Sequence, residues 1–155
     1  MSDNETTFSI PTEFTYSLHQ SFEPFDSGWR SFDAHYLLYA SSGVFHLEIE
    51  GMSWLLPPQR AAWIAAQVPI RIHTNQPVVS SSVLFAEATT AKPDFDCRVF
   101  TLSPLAQEMI DYAMRWGQDR PATDAVANNF FVSLDNLCRE LSAAPNNFWL
   151  PRARS

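Results

Sequence analysis

The chain has 155 residues, 46% hydrophobic and 14% aromatic, with a net charge of −7 and only 10 lysines and arginines. That length suits one domain with a proper core, and so acidic a chain lacks the basic footprint of a protein that grips nucleic-acid phosphates by itself. No apolar run reaches the ~20 residues of a membrane span, and the polar opening MSDNETT does not read as a signal peptide, so a cytoplasmic protein that binds no membrane is expected.

Charged residues make up 17% of the chain, which is low, and together with 12 Phe and 5 Trp this points to apolar surface reserved for a partner. Cys97 and Cys138 are too few and too far apart for a disulfide framework or a CxxC metal site, and read as two buried thiols. Residues 1–7 are expected to be disordered. From 8 to 33 the pattern is irregular, broken by Pro11, Pro24 and Gly28, with residues 16–19 as a short edge strand. Phe22, Phe25, Trp29 and Phe32 there either line a cavity mouth or pack as plain core.

Residues 35–73 are short apolar runs punctuated by Ser42-Gly43, Glu50-Gly51, Pro57-Pro58 and Val68-Pro69, the pattern of consecutive antiparallel strands. The clearest strand spans 44–50, where Phe45, Leu47 and Ile49 alternate with His46, Glu48 and Glu50, one face apolar and the other wet. Further strands fall at 78–87 and 97–102. Roughly eight short strands read as an all-β barrel or jelly roll.

The period then changes. Ser103 followed by Pro104 is a helix start, and Leu105, Met109, Tyr112 and Trp116 follow as one stripe before Gly117 stops it. Thr123 or Asp124 caps a second helix, in which Ala127, Phe130, Leu134, Leu137 and Leu141 form an a/d seam that ends before Pro145. Phe131 and Cys138 make a second apolar line beside it. Two heptads are too short for a free coiled coil. Either one line packs inside the subunit and the other on a second copy, or both are buried within one subunit. The tail from 145 mixes Pro, Asn and Arg, places Arg152 and Arg154 near its end, and reads as a linker.

Leu38-Tyr39-Ala40-Ser41-Ser42-Gly43, then Leu56-Pro57-Pro58-Gln59-Arg60-Ala61-Ala62-Trp63-Ile64, then Val68-Pro69, and the closing Leu150-Pro151-Arg152 carry a resemblance. The chain resembles the N-terminal cupin half of AraC-type transcriptional regulators. The resemblance implies a mainly β fold, a cupin-like barrel over 1–102, a two-helix dimerisation region over 103–144, and a linker over 145–155 toward a DNA-binding half that lies outside this sequence. It implies a cytoplasmic, bacterial-type regulator: a sensor for a small-molecule effector that forms a homodimer, with no nucleic-acid contact by this part alone. Phe130, Leu134, Leu137 and Leu141 would carry the dimer.

The positions that match the metal ligands of metal cupins are Arg30, Phe32, Tyr36 and Ile70. Phe cannot ligate and Arg does not give up its proton, so no metal and no cofactor are expected there. These four become the expected ligand-binding residues instead. Arg30 either clamps a carboxylate or phosphate at the cavity mouth or sits in solvent beside Asp26 or Asp33. A small aliphatic or aromatic acid would suit the set. His35, His46, Glu48 and His73 form a rival set with the chemistry for a divalent transition metal, but strand periodicity puts His46 and Glu48 on the wet face. No nucleophile motif, P-loop or catalytic carboxylate pair is present, so no catalytic residue is assigned. A small metal-dependent cupin enzyme, an isomerase or dioxygenase using the His46 set, is the competing reading.

Overall fold

The structure, a computed structural model, describes residues 5–8 and 13–153, with side chains from residue 13 onward. Ten strands come first: β1 (Glu5–Phe8), β2 (Tyr16–Phe22), β3 (Phe25–Phe32), β4 (Ala34–Ser42), β5 (Phe45–Ile49), β6 (Met52–Leu56), β7 (Arg60–Ile64), β8 (Ile70–Thr74), β9 (Val78–Ala86) and β10 (Cys97–Thr101). Helices α1 (Pro104–Ala113) and α2 (Ala125–Ala143) follow, then two short strands, β11 (Phe148–Trp149) and β12 (Arg152–Ala153). They form two six-stranded sheets, one ordered β1-β3-β8-β5-β6-β12 and the other β11-β10-β7-β4-β9-β2. All the pairings are antiparallel except β1 with β3. The inner faces meet in a core that includes Leu38, Phe45, Leu47, Leu56, Ile64, Ile70 and Leu84.

The two sheets differ on their outer faces. The second sheet is covered by both helices. Leu37, Tyr39, Trp63, Phe85 and Phe100 pack there against Ala106, Ile110 and Ala113 of α1 and Ala127, Phe131, Leu134 and Cys138 of α2. That is why β4 reads as an apolar run from Tyr36 to Ala40, since a strand buried on both faces has little polar to alternate with. Among the described residues no helix covers the outer face of the first sheet, and β5 keeps its alternation of apolar and polar residues, although Glu48, expected on a wet face, is buried beneath Arg71 and His73.

Local signals place the helices. The Ser103 hydroxyl accepts from the Ala106 amide at 3.2 Å with Pro104 opening α1, and the Asp124 carboxylate accepts from the Val126 and Ala127 amides at 3.0 and 3.1 Å. The stripe on α1 is rotated from the expected one. Ala106, Ile110 and Ala113 face the sheet, while Leu105 is 61% exposed and Tyr112 46% exposed. Small residues let the helix approach closely, and the larger ones lie on its shoulder. On α2 the inward line is Ala127, Phe131, Leu134 and Cys138, with Phe130, Leu137 and Leu141 half-buried on its flank. Leu134, expected in a dimer contact, has no exposed surface and is part of the subunit's own core.

The N-terminal third is more regular than its sequence. Residues 5–7, expected to be disordered, pair with β3 together with Phe8, and residues 1–4 lie outside the described residues. Strand β3 runs through Gly28 because its register with β8 shifts between Asp26 and Trp29 and Gly28 adopts φ +66°, a bulge that glycine accommodates. The tail, expected as a linker, is pinned at two points: β11 adds to β10 and β12 adds to β6. Arg154 lies outside the described residues.

Candidate functional site

The bulge in β3 and the edge strand β2 frame one end of the space between the sheets. There a cavity of about 330 Å³ is lined from both sheets, by side chains including Phe22, Phe25, Arg30, Phe32, Tyr36 and Ser80. Alternation puts them there. In β3, Arg30 and Phe32 share the inner side, while Trp29 faces a shallow outer depression beside Asp26 and Arg71.

The wall is mostly apolar, with five aromatic rings among the described lining residues. Phe22 and Phe25 lie 4.9 Å apart between ring centroids, and Phe32 and Tyr36 4.7 Å, spacings of favourable ring pairs. Burial pushes the Tyr36 phenol up to about 12, against a hydrogen bond with Ser82, so it stays a neutral donor. Ser80 and Ser82 share a 2.8 Å hydrogen bond on the next strand. Arg30 is the only charged residue among the described residues lining this cavity.

Of the four sequence-assigned ligand residues, Arg30, Phe32 and Tyr36 line the cavity together. Ile70 does not line it. Ile70 pairs across from Arg30 in β8 and is wholly buried in the barrel core. Asp26 and Asp33, the alternative neighbours of Arg30, have other partners: Asp26 is gripped by Arg71, and Asp33 accepts from Gln67 at 3.1 Å. Leu18, Gln20 and Ser80 also line the cavity, and the sequence carried no sign of them beyond strand alternation.

The rival metal set divides. His35 belongs to the helix-covered sheet, where it is buried and its Nδ1 accepts from the Ala66 amide at 3.0 Å; desolvation lowers its pKa. His46, Glu48 and His73 meet on the outer face of the other sheet. The imidazoles stack at 4.8 Å and 17°, and His73 Nε2 lies 3.1 Å from Glu48, which also receives Arg71 Nη1 at 3.3 Å. A carboxylate so engaged and two parallel rings do not converge on a common point. Among the described residues no group of three or more His, Cys, Asp or Glu side chains is arranged to hold a metal.

Two facing antiparallel sheets around an aromatic cavity, with two helices on one outer face, define a cupin-like β-sandwich and bear out the expected mainly β, jelly-roll fold. The comparisons with known proteins bear out the resemblance to the N-terminal domain of AraC-type regulators. Over 76 residues, 48% of this chain, the sequence is 32% identical to the HTH-type transcriptional regulator NimR of Escherichia coli (strain K12). ToxT from Vibrio cholerae shares the fold with a TM-score of 0.55 at 7% identity, over 85% of this chain. An unsaturated-fatty-acid-bound ToxT gives a TM-score of 0.55 at 6% identity, over 88%. The matches span 27% of NimR and 59% of the ToxT chain. No family model matches the chain. Among the described residues no helix is long and apolar enough to cross a membrane.

Proposed function

We propose that this chain is the effector-sensing and dimerisation part of an AraC-type transcriptional regulator, and that its effector is a small aliphatic or aromatic carboxylic acid held between the sheets. One observation carries the reading: Arg30 is the only charged side chain among the described residues lining a mainly apolar cavity of about 330 Å³ that includes five aromatic rings. Such a wall favours an apolar body, and an arginine favours a carboxylate through charge-assisted hydrogen bonds. Solved ToxT structures hold an unsaturated fatty acid in one case and a naphthyl-substituted butenoic acid in another, both a carboxylate on an apolar body. In this chain Arg30 is the charge partner, Phe32 and Tyr36 form the flat walls, and Ile70 fills the core behind Arg30.

Calorimetric titration with a panel of short fatty acids and naphthyl acids tests this. Arg30→Ala should weaken the best acid by about 2 kcal/mol, the worth of a lost charge-assisted contact. Unchanged affinity would remove Arg30 from the site.

Dimerisation rests on the flank of α2. Phe130, Leu137 and Leu141 stay half-buried there, and Leu134 anchors the helix beneath them. A two-fold pairing of such helices is the commonest closed arrangement. Leu137→Glu should split the dimer by placing a charge in an apolar contact. A wild-type monomer in sedimentation at micromolar concentration would rule the dimer out. The tail from 145 then leads from the sandwich toward a DNA-binding segment.

A further inference from the structure

The outer face of the first sheet gathers cations that the cavity does not use. A cleft of about 610 Å³ is bounded there by His46 and His73, by Arg152 of β12, and by Arg60 and Trp149 from β7 and β11 of the second sheet. The chain has only 10 lysines and arginines and 4 histidines, so two of each group in one cleft is a marked concentration of basic side chains. The carboxylate that lines it, Glu48, is engaged by Arg71 at 3.3 Å and His73 at 3.1 Å. Arg60 and Arg152 are in no ion pair among the described residues. Arg60 donates to the Leu55 carbonyl at 3.0 Å, and its guanidinium lies 3.7 Å from the Trp149 ring centroid. Trp54 Nε1 donates to the Trp149 carbonyl at 3.1 Å, which ties the tail to the cleft wall.

We infer that this cleft is a second binding site, for an oxyanion held by Arg60 and Arg152, with affinity linked to protonation of His46, whose ring stacks on that of His73. The His46 ring stacks on His73 at 4.8 Å, and Glu48, the carboxylate nearby, is already shared between Arg71 and His73, so a charge on His46 gains from a further negative group in the cleft. An anion in the cleft supplies that group, and by reciprocity each added proton tightens the anion. The other charges facing the pair are Glu48 and Arg71 in the same ladder, Asp26 beyond Arg71, and the two cleft arginines. Arg71 offsets only one of the two carboxylates, Glu48 and Asp26, so with Arg60 and Arg152 the group keeps a surplus of one positive charge before either imidazole is charged. His46 itself has a lowered pKa through desolvation and the neighbouring His73, which the bound anion would reverse. The site is separate from the cavity: Phe45 and Ile72 point into that, and His46 and His73 point the other way.

The test uses the full chain, with NMR of the His46 and His73 imidazoles during titration with sodium sulfate. Sodium chloride at matched ionic strength is the control, and sodium acetate run in parallel tells a carboxylate site from one for tetrahedral anions. Sulfate and acetate do not titrate over this range, so the comparison between about pH 6 and about pH 8 isolates the histidines. The expected result is saturable shifts at both rings, with roughly tenfold tighter binding at the lower pH, as uptake of one proton allows. Arg60→Gln should weaken binding at both pH values, and His46→Gln should flatten the pH dependence. Should Arg60→Gln fail to fold, the half-exposed His46→Gln and the wild-type curves decide alone. Shifts that match those of chloride, or saturation with equal affinity at both pH values, would overturn the inference.

Discussion

The two outer faces of this sandwich are built from strands of similar length and have opposite fates. Behind β4, β7 and β9, the helices bury Trp63, Phe85 and Phe131 in edge-on aromatic contact, with centroids 5.0 and 6.3 Å apart. Behind β5 and β8, the corresponding positions hold His46, Glu48, Arg71 and His73, a ladder of charge and hydrogen bonding. One face is a second hydrophobic core, the other a polar surface able to recognise ions. Whether a strand face becomes structure or site is thus decided by what covers it.

The strongest way to break the contrast is to put a charge on the covered face. Leu134→Glu should destabilise the subunit by about 3–5 kcal/mol, a lost buried leucine plus an unpaired buried carboxylate. Denaturant unfolding would show a large fall in midpoint. A properly folded monomer would mean that Leu134 serves an interface and not the core.

Mild acid probes the same face. His35 is buried there with its pKa lowered by desolvation. The unfolded state therefore binds a proton first, so stability is full above the ordinary histidine range and falls as pH drops through it toward the folded value. Thermal unfolding across that range should show the loss, and His35→Gln should shrink it.

The exposed face should respond less and at lower pH. The Arg71 guanidinium beside Asp26 holds its carboxyl down at about 2. That depressed value gives stability present above the ordinary aspartate range and lost as pH falls toward 2. With Asp26 side chain 47% exposed, solvent screening limits the pair to below about 1 kcal/mol. Asp26→Asn should remove that acid-sensitive increment and little else.

The smallest effect sharpens the comparison most. Leu55 is 44% exposed on the uncovered sheet, and Leu55→Glu should change stability by no more than about 0.5 kcal/mol. Set beside Leu134→Glu, it measures what the helices add to one face.

Strand β5 was legible because one wet face leaves a period of two, and Phe45, Leu47 and Ile49 are buried as that period requires. The helix starts were legible because capping is local chemistry, as Ser103 and Asp124 show. Arg30, Phe32 and Tyr36 as a group came from resemblance, and strand alternation brings them to one cavity. Strand β3 was illegible because its bulge at Gly28 breaks the period.

The sequence by itself determined a mainly β chain followed by two capped amphipathic helices, since periodicity and capping act over a few residues. Only the tertiary structure decided that Leu105 and Tyr112 turn outward, that Leu134 and not Leu137 is sealed in, and that the tail closes onto both sheets. Those outcomes depend on which faces meet across long chain separations, and no local pattern encodes the angle at which a helix settles on a sheet.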